Sequence, residues 1–187
     1  MKVLRAKDYR RMPWKNGKGE TVEITVFPEG ASVADFGWRV SMAPVVSDGA
    51  FSNFEEIDRT LSILTGEGMA LSVEGMERVV LGTVSAPFAF PGDAATDAVL
   101  TQGPITDLNV MTRRGLFSHR VTRVETAGEI VLSADAAVTM IVVTGEASVV
   151  GAALGPLDAA IFDTAGPGLV VVDAESPVFV IEIIATR

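Results

Sequence analysis

Hydrophobic and polar residues alternate with a period of two in many short runs of this chain, and glycine, proline or aspartate closes each run. In Thr21–Val26, Val22, Ile24 and Val26 share one face while Thr21, Glu23 and Thr25 share the other. Trp38–Ala43 sets Trp38, Val40 and Met42 against Arg39 and Ser41. Thr106–Met111 sets Leu108 and Val110 against Asp107 and Asn109. Successive side chains of a β-strand point to opposite faces, so this spacing predicts strands whose two faces differ in polarity. Thr60–Leu64 and Met69–Val73 read as strands around Thr65-Gly-Glu-Gly68, a hairpin-like connection. Val138–Val143, Ala147–Val150, Leu169–Val172 and Val178–Ile184 extend the series. No stretch sustains the 3.6-residue period of an amphipathic helix, although Phe51–Arg59 has room for one short helical turn. Many short strands at close spacing predict an all-β sandwich or barrel.

A weak internal echo points to two halves. Leu61–Val73 reads strand, Thr-Gly-Glu turn, strand, and Met140–Val149 reads the same. Duplicated small barrels generate such an echo. Arg113–Gly128 is the least strand-like segment between the two copies, so the boundary is expected there.

Composition narrows the function. The chain of 187 residues is 48% apolar and 21% charged, which describes a globular protein with a sizeable core. A net charge of −9 repels nucleic acid and anionic lipid, so neither is an expected partner. With no cysteine there is no disulfide scaffold and no thiolate metal site, which fits a reducing cytoplasm. The first residues lack an apolar signal region, and no apolar run reaches the roughly 18 residues of a membrane span. Fourteen of the 15 Lys and Arg residues lie at or before Arg123, against 15 of the 24 Asp and Glu. The front part is therefore near neutral at −1 and the tail is −8, so an anion finds complementary charge only in the front part.

Candidate chemistry follows from that asymmetry. Barrel metal sites draw on two or three imidazoles or on thiolates, and this chain has a single histidine, His119, so no metal or other cofactor is expected. No serine and aspartate accompany His119 in a triad pattern, and it reads as a partly exposed residue of the connecting segment. Gly17-Lys-Gly19 and Gly66-Glu-Gly68 open no helix, so neither is a phosphate loop. The loop Met12–Glu20 is more specific, because it gathers Trp14, Lys15, Asn16, Lys18 and Glu20 around two glycines. Such a set offers a flat apolar wall, cations and a carboxamide to a small polar ligand. Arg39 and Arg59 are the best candidates for an anion clamp. If both faces of the Arg39 strand are covered, its guanidinium must pair with a carboxylate or grip a ligand anion. For Arg59 the alternative is a local ion pair with Asp48, Glu55, Glu56 or Asp58. Asn109 faces the interior only if that interior is polar.

These segments resemble the HutD/Ves family. The matching runs are Met12-Pro-Trp-Lys-Asn-Gly, Gly19-Glu-Thr with Glu23-Ile24, Trp38-Arg-Val-Ser-Met42, Ser47-Asp-Gly with Phe51-Ser52, Ile57-Asp-Arg-Thr-Leu61, Gly66-Glu-Gly68, Phe88-Ala-Phe-Pro-Gly-Asp93 and Gly103–Met111 with Arg113-Arg-Gly115. The resemblance implies a bicupin, two small antiparallel jelly-roll-like barrels, with residues 1–115 the first barrel and its binding loop and residues 116–187 the second. Proteins of this kind are associated with histidine utilisation and are thought to bind a pathway intermediate of the formylglutamate or urocanate type. The residues carried over as pocket lining are Trp14, Lys15, Asn16, Glu20, Arg39, Ser41, Phe51, Arg59, Asn109 and Arg113. Lys18 departs from the family, which commonly has glycine there. The expected partners are a small-molecule carboxylate and, at most, a second copy of the chain. The rival expectation is a metal-independent hydrolase or isomerase using Glu20 or Asp93 as general base.

Overall fold

The alternating runs become strands, in a computed structural model that describes residues 1–14, 19–125, 128–162 and 168–186. In order they are β1 (Lys2–Leu4), β2 (Arg10–Pro13), β3 (Glu20–Phe27), β4 (Trp38–Val45), β5 (Gly49–Ala50), β6 (Ile57–Thr65) and β7 (Met69–Val73). There follow β8 (Val79–Leu81), β9 (Phe88–Pro91), β10 (Thr96–Leu100), β11 (Ile105–Arg113), β12 (Phe117–Val124) and β13 (Gly128–Leu132). The series closes with β14 (Val138–Val143), β15 (Ala147–Val149), β16 (Ala152–Leu154), β17 (Ala159–Phe162), β18 (Gly168–Ala174) and β19 (Val178–Ala185). The fold is all-β; among the described residues the sole helical element is a short 3-10 turn at Ala6–Asp8, and no helix is long and apolar enough to cross a membrane.

The chain divides into two compact units. One is continuous, Arg10–Arg114; the other is discontinuous and joins Met1–Tyr9 to Gly115–Arg187. The continuous unit has a six-stranded sheet, β2-β3-β4-β11-β6-β9, and a four-stranded sheet, β5-β10-β7-β8. The discontinuous unit has a five-stranded sheet, β1-β17-β14-β19-β12, and a four-stranded sheet, β13-β18-β15-β16. Moving eight strands along the chain turns β4-β11-β6-β9 into β12-β19-β14-β17, and β5-β10-β7-β8 into β13-β18-β15-β16. The sequence echo is thus part of a full topological repeat. All pairings are antiparallel, and in each unit the ladders form two separate sheets rather than one closed ring.

Three sequence expectations are revised. First, Met1–Tyr9 does not belong with the front part. β1 pairs with β17, Arg5 Nη1 meets Asp158 Oδ2 at 2.7 Å, and the Tyr9 hydroxyl donates to the Leu157 carbonyl at 2.9 Å. Second, the boundary segment holds a strand. All eight residues of β12 pair with β19, and His119 lies half-buried in it opposite Ile183. Its polar run of Ser118, His119 and Arg120 between Phe117 and Val121 hid the alternation. Third, the Thr65–Gly68 connection is not a hairpin within one ladder. β6 pairs with β11 and β9, whereas β7 pairs with β10 and β8, so the turn carries the chain from one sheet to the other.

That crossing explains the glycines. Gly66 and Gly68 have φ of +92° and +116°, a region where a side chain is strained. A Cβ on Gly68 would also stand 2.1 Å from the Leu81 carbonyl oxygen. The equivalent arch, Thr144-Gly-Glu146, links β14 to β15 in the other unit. The core of the continuous unit lies between its two sheets and includes Val45, Leu61, Ile63, Met69, Leu71, Val73, Leu81, Phe90, Ala98 and Ile105. Leu132, Ile141, Val143, Val149, Leu154, Ala160, Phe162, Val170, Val172 and Val178 fill the corresponding place in the discontinuous unit. We expect Gly68→Ala to cost well over about 2 kcal/mol, because left-handed strain and a backbone clash add. Gly75→Ala, with φ +79° but open space around it, should cost only about 1 kcal/mol. Urea midpoints of the two variants check the order, and equal midpoints would contradict the clash.

Candidate functional site

The inward face of the six-stranded sheet is the one that carries chemistry. Partners directly opposite on antiparallel strands share a face. Arg39 stands opposite Met111, and Met111 opposite Arg59. One row along, Glu23, Ser41, Asn109 and Leu61 line up; one further, Ala43, Asp107 and Ile63 do. Leu61 and Ile63 are core residues, so the whole set points between the sheets. The opposite face, with Val40, Leu108 and Val110, is also fully buried. Both faces are therefore covered, and Arg39 and Arg59 are each only 4% exposed. A register shift between Glu23 and Thr25 interrupts the expected Val22, Ile24, Val26 stripe and brings Val26 to the face of Arg39. There it packs with Phe36, Ile57 and Met111.

The two arginines solve their burial differently. Arg39 Nε donates to Glu23 Oε2 at 2.7 Å, an ion pair with both side chains out of solvent. Arg59 has no carboxylate within ion-pair distance among the described residues. Its Nε and Nη2 donate to Asn109 Oδ1 at 3.2 and 2.9 Å, and Nη1 reaches the Ser52 carbonyl at 3.4 Å. The rings of Phe51, Phe54 and Phe90 surround its Cζ at 5.0, 5.6 and 5.2 Å, a cation–π cage. Gly92 lets this happen, since a Cβ there would meet the Arg59 Cδ at 3.1 Å and the Ile57 carbonyl at 2.9 Å. Burial pushes the Arg59 guanidinium down to about 10, with Asp107 opposing the shift and Arg39 reinforcing it; it stays charged at neutral pH.

Asp107, two residues from Asn109 on β11, completes the set. It is 2% exposed, accepts hydrogen bonds from the Ala43 backbone and the Asn109 side chain, and keeps one oxygen, Oδ1, without a partner. Burial pushes its carboxyl up to about 7, against the pull of the Arg59 charge. Sequence reading passed over Asp107, Glu23, Phe54 and Gly92. Asp107 was accessible to it, because it shares its alternation face with Asn109, a residue already singled out.

The other candidates divide. Ser41 and Asn109 lie in the row next to Arg39 and Arg59, and Phe51 stands over Arg59. Trp14 folds back on its own loop: its backbone N–H donates to the Gly19 carbonyl at 2.8 Å and its indole N–H to Thr21 Oγ1 at 2.9 Å. Its ring lies so close that a Cβ on Gly19 would stand 2.9 Å away. Thr21 shares the face of Glu23, so the indole sits beside the row rather than in it. Glu20 is on the opposite face and pairs with Arg11. Lys15, Asn16 and Lys18 lie outside the described residues. Arg113 ends β11 on the inward face, donates to the Phe36 and Ala34 carbonyls at 3.1 and 2.9 Å, and lines a pocket of about 240 Å³ with Val33, Asn53, Phe54 and Ile57. That pocket lies beside the Arg59 cluster, not on it, and Phe54 borders both.

Of the carboxylates expected as general bases, neither is free. Glu20 faces Arg11, and Asp93 takes two bonds from Arg114 at 2.6 and 2.9 Å, which hold its carboxyl down at about 2. Arg114 also binds Asp58 at 2.7 Å, which removes Asp58 as a partner for Arg59. Among the described residues no three His, Asp or Glu side chains converge as a metal-holding group.

Two units of repeated strand order, each of two antiparallel sheets with a buried polar row in one, define a cupin-like protein. The fold extends to pirin YhhW from Escherichia coli in complex with nickel(II), at a TM-score of 0.64 and 10% identity over 99% of both chains. More narrowly, the chain belongs to the HutD family, whose profile matches residues 6–180, and the family is linked to the histidine-utilisation locus. It is similar to HutD from Pseudomonas fluorescens SBW25 in its formate condition, with 34% identity, a TM-score of 0.87 and coverage of 100% of this chain and 99% of that one. An uncharacterized 21.2 kDa protein in the hutC 3′ region of Pseudomonas putida is 42% identical over 111 residues, 59% of this chain and 57% of that relative. Protein Ves of Citrobacter koseri is 41% identical over 120 residues, 61% of this chain and 60% of that relative. The chain thus spans less than two thirds of the curated relatives it matches.

Two outcomes follow from the buried charges. Glu23→Ala should destabilise the protein by about 3–5 kcal/mol in chemical denaturation, since it strands a buried guanidinium. For Asp107 the folded carboxyl titrates above its unfolded value, so stability should fall as pH rises from about 4 through about 7 and then level off. Asp107→Asn should flatten that limb between pH 5 and 8; an unchanged slope would exclude Asp107 as its source.

Proposed function

We propose that this protein binds a small carboxylate in its continuous unit and serves as a cytoplasmic sensor or regulator of histidine utilisation, each unit acting as a cupin-like barrel. One observation carries the reading: Arg59 is buried and charged, yet its partners are an amide, a carbonyl and three rings. Such a guanidinium retains its appetite for a carboxylate, and a desolvated site makes the bond strong. Arg39 is already paired with Glu23, so its part is to hold the row and add positive potential. Ser41 and Asn109 offer hydrogen bonds, Phe51 forms an apolar wall over Arg59, and Phe54 stands between Arg59 and the neighbouring pocket. Lys15 and Asn16 are the proposed contacts of a second polar end. With one histidine and no cysteine, the chain lacks the soft ligands of a transition-metal barrel, and the binding is proposed to be metal-independent.

A second reading has one observation behind it. Asp107 is a buried, proton-exchanging carboxyl beside the arginines, the arrangement a general acid–base needs in a hydrolase or isomerase acting on such an intermediate. Incubating urocanate, formiminoglutamate and formylglutamate with the protein at high concentration decides it: product formation supports turnover, and unchanged substrate removes it.

For binding, calorimetric titration with the same three carboxylates should give a saturable isotherm with at least one of them. Arg59→Met should weaken that affinity roughly 10- to 100-fold, the loss of one charge-assisted contact of about 1.5–3 kcal/mol. Arg114→Met, whose guanidinium is occupied by Asp58 and Asp93, should leave it within about twofold. Silence from every carboxylate, or equal effects of the two substitutions, would count against the site.

A further inference from the structure

The buried polar row carries an unbalanced charge problem that goes beyond the choice of ligand. Arg39 and Glu23 cancel. What remains is Arg59 and Asp107, joined through one amide. Asn109 Oδ1 accepts from Arg59, so the amide nitrogen is the end turned toward Asp107, whose carboxylate accepts it. This relay lets each group sense the other without an ion pair. The remaining Asp107 oxygen, Oδ1, has no hydrogen-bond partner among the described residues, although the side chain is 2% exposed. A buried carboxylate oxygen without a donor is costly, and a proton on the carboxyl relieves that cost by removing its charge.

We propose that an anion bound at Arg59 drives uptake of one proton by Asp107, which makes Asp107 the residue that sets the charge of the ligand this site accepts. The inference rests on the carboxylate-binding reading above. Without ligand, ionised Asp107 is the only charge left among the described residues of the row to balance Arg59. When a ligand carboxylate occupies Arg59, the same buried row holds two negative charges against one unpaired positive charge, in a low-dielectric interior. Taking a proton from solvent onto Asp107 restores neutrality, with no other bond made or broken. Among the described residues, the groups facing Asp107 leave no other acceptor. On β4 it meets Ala43, with Ser41 and Arg39 beyond; on β6, Ile63 with Arg59 beyond; on β3, Glu23, already bound to Arg39. The four-stranded sheet opposite turns Met69, Leu71, Val73, Leu81 and Ala98 inward, none of them titratable. Burial, which already favours the protonated form, acts in the same direction.

The test counts protons directly. Titrating N-formylglutamate into the full chain at pH 8, in HEPES and again in Tris, separates binding heat from buffer ionisation heat. Both ligand carboxylates are fully ionised at that pH, so any proton taken up belongs to the protein. We expect uptake close to one proton at pH 8 and close to none at pH 5.5, with affinity falling about tenfold per pH unit above the titration of Asp107. Asp107→Asn, nearly isosteric, should bind with no uptake at either pH and lose most of the pH dependence. Binding by the wild type at pH 8 without proton uptake overturns the proposal and leaves the carboxylate site standing; that arm needs no variant to fold. Uptake that persists in Asp107→Asn overturns the assignment equally. If the wild type binds none of the three carboxylates, the site reading fails and takes this inference with it.

Discussion

A guanidinium removed from water must recover several kcal/mol of lost hydration, and the continuous unit is organised around how two of them do so. Arg39 recovers it with Glu23, a direct pair between adjacent strands of one sheet. Arg59 recovers it from Asn109, from the Ser52 carbonyl and from three aromatic faces. The second arrangement fixes much of the surrounding chain. Phe51 and Phe54 are held over Arg59 by backbone bonds to Thr96 and Gly92, and Gly92 is glycine because the arginine stem passes against it. The motif Phe88–Asp93 is thereby explained from the inside: Phe90 faces the guanidinium, Gly92 clears its path, and Asp93 anchors Arg114.

The repeat shows what is particular to this row. In the discontinuous unit Arg120 shares the face of Ile141 and Val143, as Arg39 and Arg59 share that of Leu61. There, however, Arg120 meets Glu182 at 3.0 Å and Asp135 at 2.9 Å, two carboxylates for one cation. The same strand order supports a neutralised arginine in one unit and an under-neutralised one in the other. Fold alone does not decide which arginine is neutralised; the carboxylates placed around the guanidinium do.

Much of this was legible in the sequence. Alternation located the long strands, gave the opposite facing of Trp38 and Arg39, and placed Asp107 with Asn109. The Thr-Gly-Glu echo marked equivalent positions of a real repeat. Short strands such as β5, β8 and β16 were not legible, since two or three residues establish no period. β12 was missed because polar residues occupy both of its faces, Ser118, Arg120 and Thr122 on one and His119 and Arg123 on the other. Partner choice was the deeper limit. Nothing local says that Glu23 takes Arg39, that Arg114 takes Asp58 and Asp93, or that Arg59 is left to amides and rings. Those pairings join residues far apart along the chain, and only the sheet register brings them together.

The position of β1 has a consequence for how the molecule is made. A ribosome releases Arg10–Arg114 as an uninterrupted stretch, so the half that carries the arginine cluster can close its own core before the rest emerges. Its upstream neighbour, Lys2–Leu4, must wait some 155 residues for Ala159–Ile161 to appear before it can pair. Arg5 likewise waits for Asp158. A segment made ahead of the continuous unit is thus among the last to find its place, and a chain stopped after Arg114 keeps the arginine cluster while leaving β1 unpaired.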